Sequence, residues 1–236
     1  MNFLLGQVLS FDKPYGMTSF QLVAKVRWLL TRAMGGRKIK VGHAGTLDPL
    51  ATGVMVVCTG RATKRIEQLQ AGVKEYVATL KLGATTPSFD LEHPVDRTFP
   101  TAHLTEELVR ATLPRFIGEI MQVPPVYSAC KVNGNRAYNL KRKGKEVELS
   151  PKNIRIDEIE LTGYDDEKKQ VSLRVVCGKG TYIRALARDL GRELGSGAYL
   201  TALRRTRVGN VRVEDCLTLD DFPAWLDRQE IEDIVK

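Results

Sequence analysis

The sequence predicts an α+β fold, for two reasons. The chain of 236 residues is 43% hydrophobic and 27% charged, which is the usual composition of a globular protein with a sizeable core. Segments with strand periodicity and segments with helical periodicity are also mixed along it, without the regular strand–helix–strand order of a doubly wound sheet. A chain of this length forms one large domain or two small ones.

The first third of the chain predicts a strand, a helix and two further strands. A short strand begins at Val8 and ends in a turn at residues 14–16. Thr18 or Ser19 caps the helix that follows, whose expected apolar face is Phe20, Val23, Val26, Leu29 and Leu30. A buried strand is expected at residues 54–57. Residues 75–82 alternate as a further strand, with Tyr76, Ala78, Leu80 and Leu82 on one face.

The later elements are marked by caps and turns. Thr105 is a predicted N-cap, bracketed by Leu104 and Val109, for a helix over residues 106–112 that Pro114 breaks or kinks. Residues 171–177 alternate as a strand, and Thr181 can cap a helix carrying Ile183, Leu186, Ala187, Leu190 and Leu194.

Charge is unevenly distributed along the chain. Thirty-six Lys and Arg against 28 Asp and Glu give a net charge of +8. Residues 13–47 hold seven basic residues and no acidic one, whereas residues 210–236 carry a net charge of −5. Such a basic surplus favours a polyanionic partner, because phosphate neutralisation releases counterions. It is also common in basic proteins that bind no nucleic acid.

Residues 122–152 differ from the rest of the sequence. Turn-forming residues alternate there with basic residues and tyrosines, namely Tyr127, Lys131, Arg136, Tyr138, Lys141, Arg142, Lys143 and Lys145. This composition indicates a basic, aromatic-bearing excursion from the core, or else a solvated hairpin and loop.

Several common classes of enzyme lack support in the sequence. There is no phosphate-binding GxxxxGK[ST] loop, no HExxH zinc motif, no GxSxG nucleophile elbow and no CxxC pair. We therefore expect no cofactor and no metal. The chain shows neither a signal peptide nor a membrane-spanning run, so we expect a cytoplasmic protein with four reduced, mostly buried cysteines.

The segment 42–53, with sequence GHAGTLDPLATG, is the strongest candidate for chemistry. Pro49 biases Asp48 away from helical backbone, and the neighbouring glycines allow close approach of another chain. A carboxylate fixed in this way, beside a basic stretch, can act as a nucleophile. An isolated Asp-Pro pair is more typical of a plain Asx-turn.

This segment resembles the HxGTLDPxAxG motif of the TruB family of tRNA pseudouridine synthases. Five other segments resemble the family's motifs in the same order: FDKPYGMTS at residues 11–19, KEY at 74–76, QVPPVYSA at 122–129, GTYIR at 180–184 and LRRTRVG at 203–209. The resemblance covers residues 8 to about 222. It implies a pseudouridine synthase fold: one catalytic domain around a mixed, largely antiparallel sheet flanked by helices, with 122–152 as its arm.

The resemblance implies isomerisation of uridine 55 in the T-loop of tRNA, with base flipping and no outside reagent. Asp48 would be the nucleophile, and Arg184 would pair with it and keep it ionised. Tyr76 would stack on the flipped uracil, and its hydroxyl would lie where the C5 proton is removed. A core tyrosine and a phosphate-binding arginine are the plainer alternatives for Tyr76 and Arg184.

Other residues would bind the substrate. His43 would fill the space that the uridine leaves, Leu203 would pack on the base, and Tyr182 belongs to the same substrate-binding set. Lys13, Lys64 and the basic arm would contact phosphates. An ordinary turn histidine and a leucine in a helix core are the alternatives for His43 and Leu203.

The sequence departs from the family pattern at two places. It stops soon after residue 222 with an acidic segment, so we expect no C-terminal PUA domain and an RNA footprint limited to the T-arm. Residues 85–90 fit the family pattern poorly, and we assign them no catalytic role.

We expect a monomer. Two other functions stay open: a guide-RNA-dependent enzyme of the dyskerin type, and a non-enzymatic RNA chaperone.

Overall fold

The computed structural model describes residues 1–128, 130–132, 135–137 and 147–232. The strands are β1 (Val8–Lys13), β2 (Val41–Ala44), β3 (Ala51–Thr59), β4 (Lys74–Leu82), β5 (Ala84–Thr85), β6 (Arg97–Thr98), β7 (Gly118–Gln122), β8 (Lys131–Val132), β9 (Asn135–Arg136), β10 (Lys152–Asp165), β11 (Gln170–Cys177), β12 (Ala198–Val208) and β13 (Val211–Arg212). The helices are α1 (Ser19–Ala33), α2 (Ile66–Gln70), α3 (Glu106–Thr112), α4 (Ile183–Glu193) and α5 (Phe222–Asp227). Strands and helices make an α+β fold with a mixed, mostly antiparallel sheet, as predicted.

The chain divides into two compact units. The first comprises Met1–Glu75 and Arg204–Lys236, and the second comprises Tyr76–Leu203. The sequence predicted a single catalytic domain over residues 1–236. The division passes through β12, whose first six residues belong to the second unit and whose last five belong to the first.

The first unit is built on β3. β1 pairs antiparallel with it from Val8↔Cys58 to Lys13↔Gly53, and β2 pairs antiparallel with it from Val41↔Thr59 to Ala44↔Val56. Both faces of β3 are buried, since eight of its nine residues are buried and its predicted apolar run 54–57 is at most 2% exposed.

Helix α1 begins with a capping box. The Thr18 hydroxyl accepts a hydrogen bond from the Gln21 backbone N–H, and the Gln21 side chain accepts one from the Thr18 backbone N–H. The predicted apolar face is confirmed except at Phe20, which is 71% exposed. Leu22 takes its place, because the buried face is centred about a third of a turn away from Phe20.

The second unit carries strands in the order β12, β4, β11, β10, β7. β10 pairs antiparallel with β11, and its beginning pairs antiparallel with β7, from Lys152↔Gln122 to Ile156↔Gly118. The predicted alternation in β4 is confirmed, since its buried face is Lys74, Tyr76, Ala78, Leu80 and Leu82. The predicted helix over 106–112 is also confirmed, with the Thr105 hydroxyl accepting a hydrogen bond from the Leu108 backbone N–H.

Candidate active site

The loop that carries Asp48 connects β2 to β3. Its first residue, Gly45, has a φ of 98°, which an L side chain rarely adopts. His43 lies on β2, and its Nε2 atom is 3.1 Å from the Thr46 hydroxyl. The conformation of the loop therefore depends on its glycine and on a side-chain contact across its start.

The residues on both sides of Asp48 are held by α1 and by the turn before it. The Ser19 hydroxyl donates to the Leu47 carbonyl at 2.8 Å and accepts from the Leu47 backbone N–H at 2.9 Å. The Gly16 backbone N–H donates to the Pro49 carbonyl at 2.9 Å. Asp48 itself is half-buried. The sequence suggested Ser19 as an alternative helix cap, whereas the structure uses Thr18 as the cap and Ser19 to hold the loop.

Lys13 lies beneath this loop and is fully buried. Its ammonium donates to the carbonyls of Pro14 at 2.9 Å, Met17 at 2.6 Å and Pro49 at 3.2 Å. Burial lowers the pKa of Lys13 to about 8, although the nearby Asp48 carboxylate raises it. The structure thus gives Lys13 a supporting position in place of the predicted phosphate contact, because no part of its side chain reaches the surface.

Arg205 supports the loop from another direction, and sequence reasoning did not single it out. Its guanidinium, 1% exposed, donates to the carbonyl of Val54 at 2.7 Å and to that of Gly45 at 3.1 Å. A Cβ atom at Gly53 would collide with the backbone carbonyl of Arg205, so only glycine fits there. The double arginine in the LRRTRVG segment was the available signal for this role.

In the second unit, Arg184 is buried at the start of α4 and only 3% exposed. Its guanidinium donates to the carbonyl of Ser88 at 3.1 Å and to that of Tyr127 at 2.8 Å. The Nε atom of Arg184 lies 3.6 Å from a carboxylate oxygen of Asp90, which is itself buried. The buried positive charge is therefore compensated by a buried negative one.

Asp90 belongs to the segment 85–90, for which the sequence predicts no catalytic role. The Thr86 hydroxyl donates to the Asp90 carbonyl at 2.7 Å, and the Asp90 carboxylate accepts from the Glu92 backbone N–H at 3.0 Å. Between Ser88 and Asp90, Phe89 has a φ of 60° although it is not glycine. This strained turn lets the residues on both of its sides contact Arg184.

Two of the sequence motifs meet at Tyr182. Its backbone N–H donates to the side-chain carbonyl of Gln122 at 2.9 Å, and the Gln122 amide donates back to the Tyr182 carbonyl at 3.2 Å. Tyr76 lies on β4 and is 8% exposed. Leu203 is half-buried and lies on β12, a strand, so the alternative of a helix core does not apply.

The segment predicted as an arm leaves the sheet at Gln122 and returns to it at Lys152. A small apolar cluster lies within it, formed by Cys130, Ala137 and Leu149 with Val126 and Val147. Tyr138, Lys141, Arg142, Lys143 and Lys145 lie outside the described residues. Lys64 is exposed in the 3-10 helix Gly60–Arg65, where a phosphate can reach it.

Among the described residues, no group of three or more His, Cys, Asp or Glu side chains is arranged to hold a metal ion. Within the same residues, no helix has the length and apolar character needed to cross a bilayer. Cys58, Cys130 and Cys177 are buried as expected, and Cys216 is half-buried.

The predicted site residues are distributed between the two units. The first unit contains His43, Asp48, Lys13 and Lys64, and the second contains Tyr76, Tyr182, Arg184 and Leu203.

Comparison with known proteins gives consistent matches. Residues 32–183 match the family model described as TruB family pseudouridylate synthase (N terminal domain). Residues 184–235 match the model described as tRNA pseudouridylate synthase B C-terminal domain, which includes most of the acidic C-terminal segment.

Two curated relatives match nearly from end to end. A protein of Phocaeicola vulgatus named tRNA pseudouridine synthase B is 63% identical over 100% of this chain and 99% of its own. Its namesake from Flavobacterium johnsoniae is 48% identical over 95% of this chain and 97% of its own.

A solved structure titled "Crystal Structure of a Cbf5-Nop10-Gar1 Complex" aligns with a TM-score of 0.68 at 29% identity over 94% of this chain. The chain spans 55% of the length of that solved chain. A family model covering more than half of the sequence and relatives at 63% identity show that the chain belongs to the TruB family of pseudouridylate synthases.

Proposed function

We propose that this chain is a tRNA pseudouridine synthase that isomerises uridine 55 of the T-loop. The relatives named tRNA pseudouridine synthase B from Phocaeicola vulgatus and Bacteroides thetaiotaomicron are matched over 99% and 98% of their length, whereas the chain covers only 55% of the solved chain from the Cbf5 complex. This difference in coverage favours an enzyme that acts directly on tRNA over one that depends on a guide RNA.

The observation that supports the chemistry best is the immobilisation of Asp48. The flanking residues are bonded to Ser19, Gly16 and Lys13, and Arg205 holds the start of the loop. A nucleophile held in advance loses little further freedom when the substrate binds, which lowers the activation barrier.

The proposed reaction needs only the substrate's own atoms. The Asp48 carboxylate attacks the ribose C1′, and the glycosidic bond from C1′ to N1 breaks, which leaves the uracil as an anion. The uracil rotates, and its C5 atom forms a bond to C1′ as the bond between C1′ and the carboxylate breaks. The C5 proton is then removed and N1 gains a proton, so that the product is an isomer of the substrate. His43 would occupy the space of the flipped base, which offsets part of the cost of unstacking it.

We further propose that Tyr76 and Arg184 take part in this reaction. The buried ring of Tyr76 suits stacking on uracil, and its hydroxyl suits removal of the C5 proton. Single-turnover rates separate these roles. Tyr76→Phe keeps the ring and loses the hydroxyl, so a severe loss of rate supports proton removal, whereas a nearly normal rate restricts Tyr76 to stacking.

The decisive experiment maps pseudouridine in tRNA incubated with the purified protein. We expect modification at position 55 by the wild type and none by Asp48→Asn, with tRNA binding largely retained because phosphate contacts dominate affinity. Asp165→Asn, which removes an exposed carboxylate elsewhere, is the matched control and should be fully active. Pseudouridine formed by a pure Asp48→Ala preparation would refute the assignment.

A further inference from the structure

Helix α1 exposes large aromatic side chains that a helix on a globular core usually hides. Phe20 is 71% exposed and Trp28 is 53% exposed, although the helix buries six other residues against the first unit. The two rings are eight residues apart, which is about 12 Å along the helix axis. Single apolar side chains on a surface are common, so these rings indicate a binding surface only together with the charges that surround them.

Trp28 is surrounded by positive charge. The Lys25 ammonium lies 4.9 Å from the centre of its indole ring, and the Arg32 guanidinium carbon lies 5.8 Å from it. These spacings place Lys25, Trp28 and Arg32 on one face of the helix, since residues three and four apart are neighbours. The cations hold the ring in place through cation–π contacts.

The stretch 13–47, which contains α1, has no acidic residue that could neutralise the positive charges around Trp28. Helix α1 contains no Asp or Glu, and the acid-free stretch 13–47 adds Arg37, Lys38 and Lys40 just beyond its end. An exposed, oriented indole between two cations offers a base a surface to stack on and offers the adjoining phosphates two partners. An acidic protein would satisfy the charges but would leave the rings without a specific partner.

We propose that the Phe20–Trp28 face of α1, with Lys25 and Arg32, is a second RNA-binding surface that contacts an unpaired base and its flanking phosphates in the substrate tRNA. The inference rests on the proposed function, since it assumes that the substrate is RNA. In the described part of the chain, none of these four side chains bonds to the Asp48 loop, so we expect the surface to add affinity without taking part in the chemistry.

Tryptophan fluorescence tests the proposal directly, because the sequence contains only two tryptophans. Trp225 stacks on Phe222 at 5.7 Å, so Trp225→Phe keeps an aromatic pair and leaves Trp28 as the single reporter. We expect saturable quenching of this variant by tRNA, with a midpoint equal to the dissociation constant measured by filter binding. Inorganic polyphosphate, which has charge but no bases, should change the fluorescence much less.

Variants of the surface provide the second measurement. Trp28→Ala should weaken tRNA binding about tenfold, the loss expected for one base–aromatic stack, with an unchanged single-turnover rate at saturation. The double variant Lys25→Gln with Arg32→Gln should reduce the slope of log K against log salt by roughly 1.4–1.8. The matched control removes two exposed, ion-paired cations elsewhere, Arg110→Gln with Lys168→Gln, and should leave both quantities unchanged.

The outcomes separate this inference from the proposed function. Normal pseudouridine formation without quenching of Trp28, or equal effects of the two double variants, would refute the proposed RNA-binding surface. Neither result would contradict the proposed function. Absence of pseudouridine in any tRNA would instead refute the function, whatever the fluorescence shows.

Discussion

The two units bury a cation in different ways. In the first unit, the ammonium of Lys13 is satisfied by three backbone carbonyls, with the Asp48 carboxylate close enough to raise its pKa. In the second, the guanidinium of Arg184 is satisfied by two carbonyls and faces the buried carboxylate of Asp90. The ammonium can lose its proton near neutral pH, whereas a guanidinium cannot. The first arrangement is therefore sensitive to pH and the second is a fixed ion pair.

The largest effect should come from breaking the fixed pair. Arg184→Met leaves the Asp90 carboxylate buried without its cation, and we expect the free energy of unfolding to fall by about 3–5 kcal/mol. Urea unfolding monitored by circular dichroism measures this. Combining Arg184→Met with Asp90→Leu should recover part of the loss, because no charge is then left alone. A loss below about 1 kcal/mol for Arg184→Met would show that Arg184 does not neutralise the buried Asp90 carboxylate.

Removal of the titratable cation should have a smaller effect on stability. Lys13→Met leaves three carbonyls without their donor but also removes the cost of burying a charge, so we expect a loss of about 2 kcal/mol. The turnover rate should fall by at least tenfold at saturating tRNA, because Pro49, next to Asp48, loses a support. Unchanged turnover in a folded Lys13→Met protein would contradict the supporting position.

The pH dependence of the wild type should distinguish the two arrangements further. The pKa of Lys13 is about 8 in the folded protein and near 10.5 in the unfolded chain, so between these values the unfolded chain binds more protons. Lys13 should therefore make the unfolding free energy rise with pH between 8 and 10.5. Activity should fall as the pH rises through about 8, the pKa of Lys13 in the folded protein, since neutral Lys13 loses one donor and its charge.

The control for this pH dependence is Lys13→Arg, which does not titrate in the range. Where this variant folds, the difference between its free energy of unfolding and that of the wild type should change between pH 8 and 10.5. Parallel pH profiles for the two proteins, in both stability and rate, would show that Lys13 stays charged throughout.

The smallest effect concerns the hydroxyl groups at the start of α1. Ser19→Ala and Thr18→Ala should each lower the unfolding free energy by about 1 kcal/mol, the first by removing the bonds to Leu47 and the second by removing the helix cap. Only Ser19→Ala should also lower the turnover rate. Equal turnover in the two variants would mean that fixation of Leu47 does not position Asp48.

The elements that could be predicted from the sequence depend on local patterns. The cap and length of α3, the alternation of β4 and the loop around Asp48 follow from residues close together in the chain. The burial of Lys13 could not be predicted, because its acceptors include Pro49, 36 residues away. The roles of Asp90 and Arg205 depend on partners about 90 and 150 residues away, and no local pattern encodes such contacts.

The exposure of Phe20 shows that a local pattern can also give a wrong assignment. Helical spacing alone assigned it to the core, yet Leu22 competes for the same face and is completely buried. Periodicity indicates that a helix has an apolar side but does not specify its exact centre when apolar residues outnumber the positions available.

The pairing of Gln122 with Lys152 has a consequence for how this protein varies. The two residues form the last register pair between β7 and β10, so both ends of the intervening segment are fixed at neighbouring points on the sheet. Insertions or deletions between them leave the ladder intact, and doubling the length of such a loop costs only about 0.6 kcal/mol in closure entropy. The sheet itself therefore tolerates homologues that differ in length between residues 123 and 151, provided that Tyr127, whose carbonyl accepts from Arg184, keeps its place.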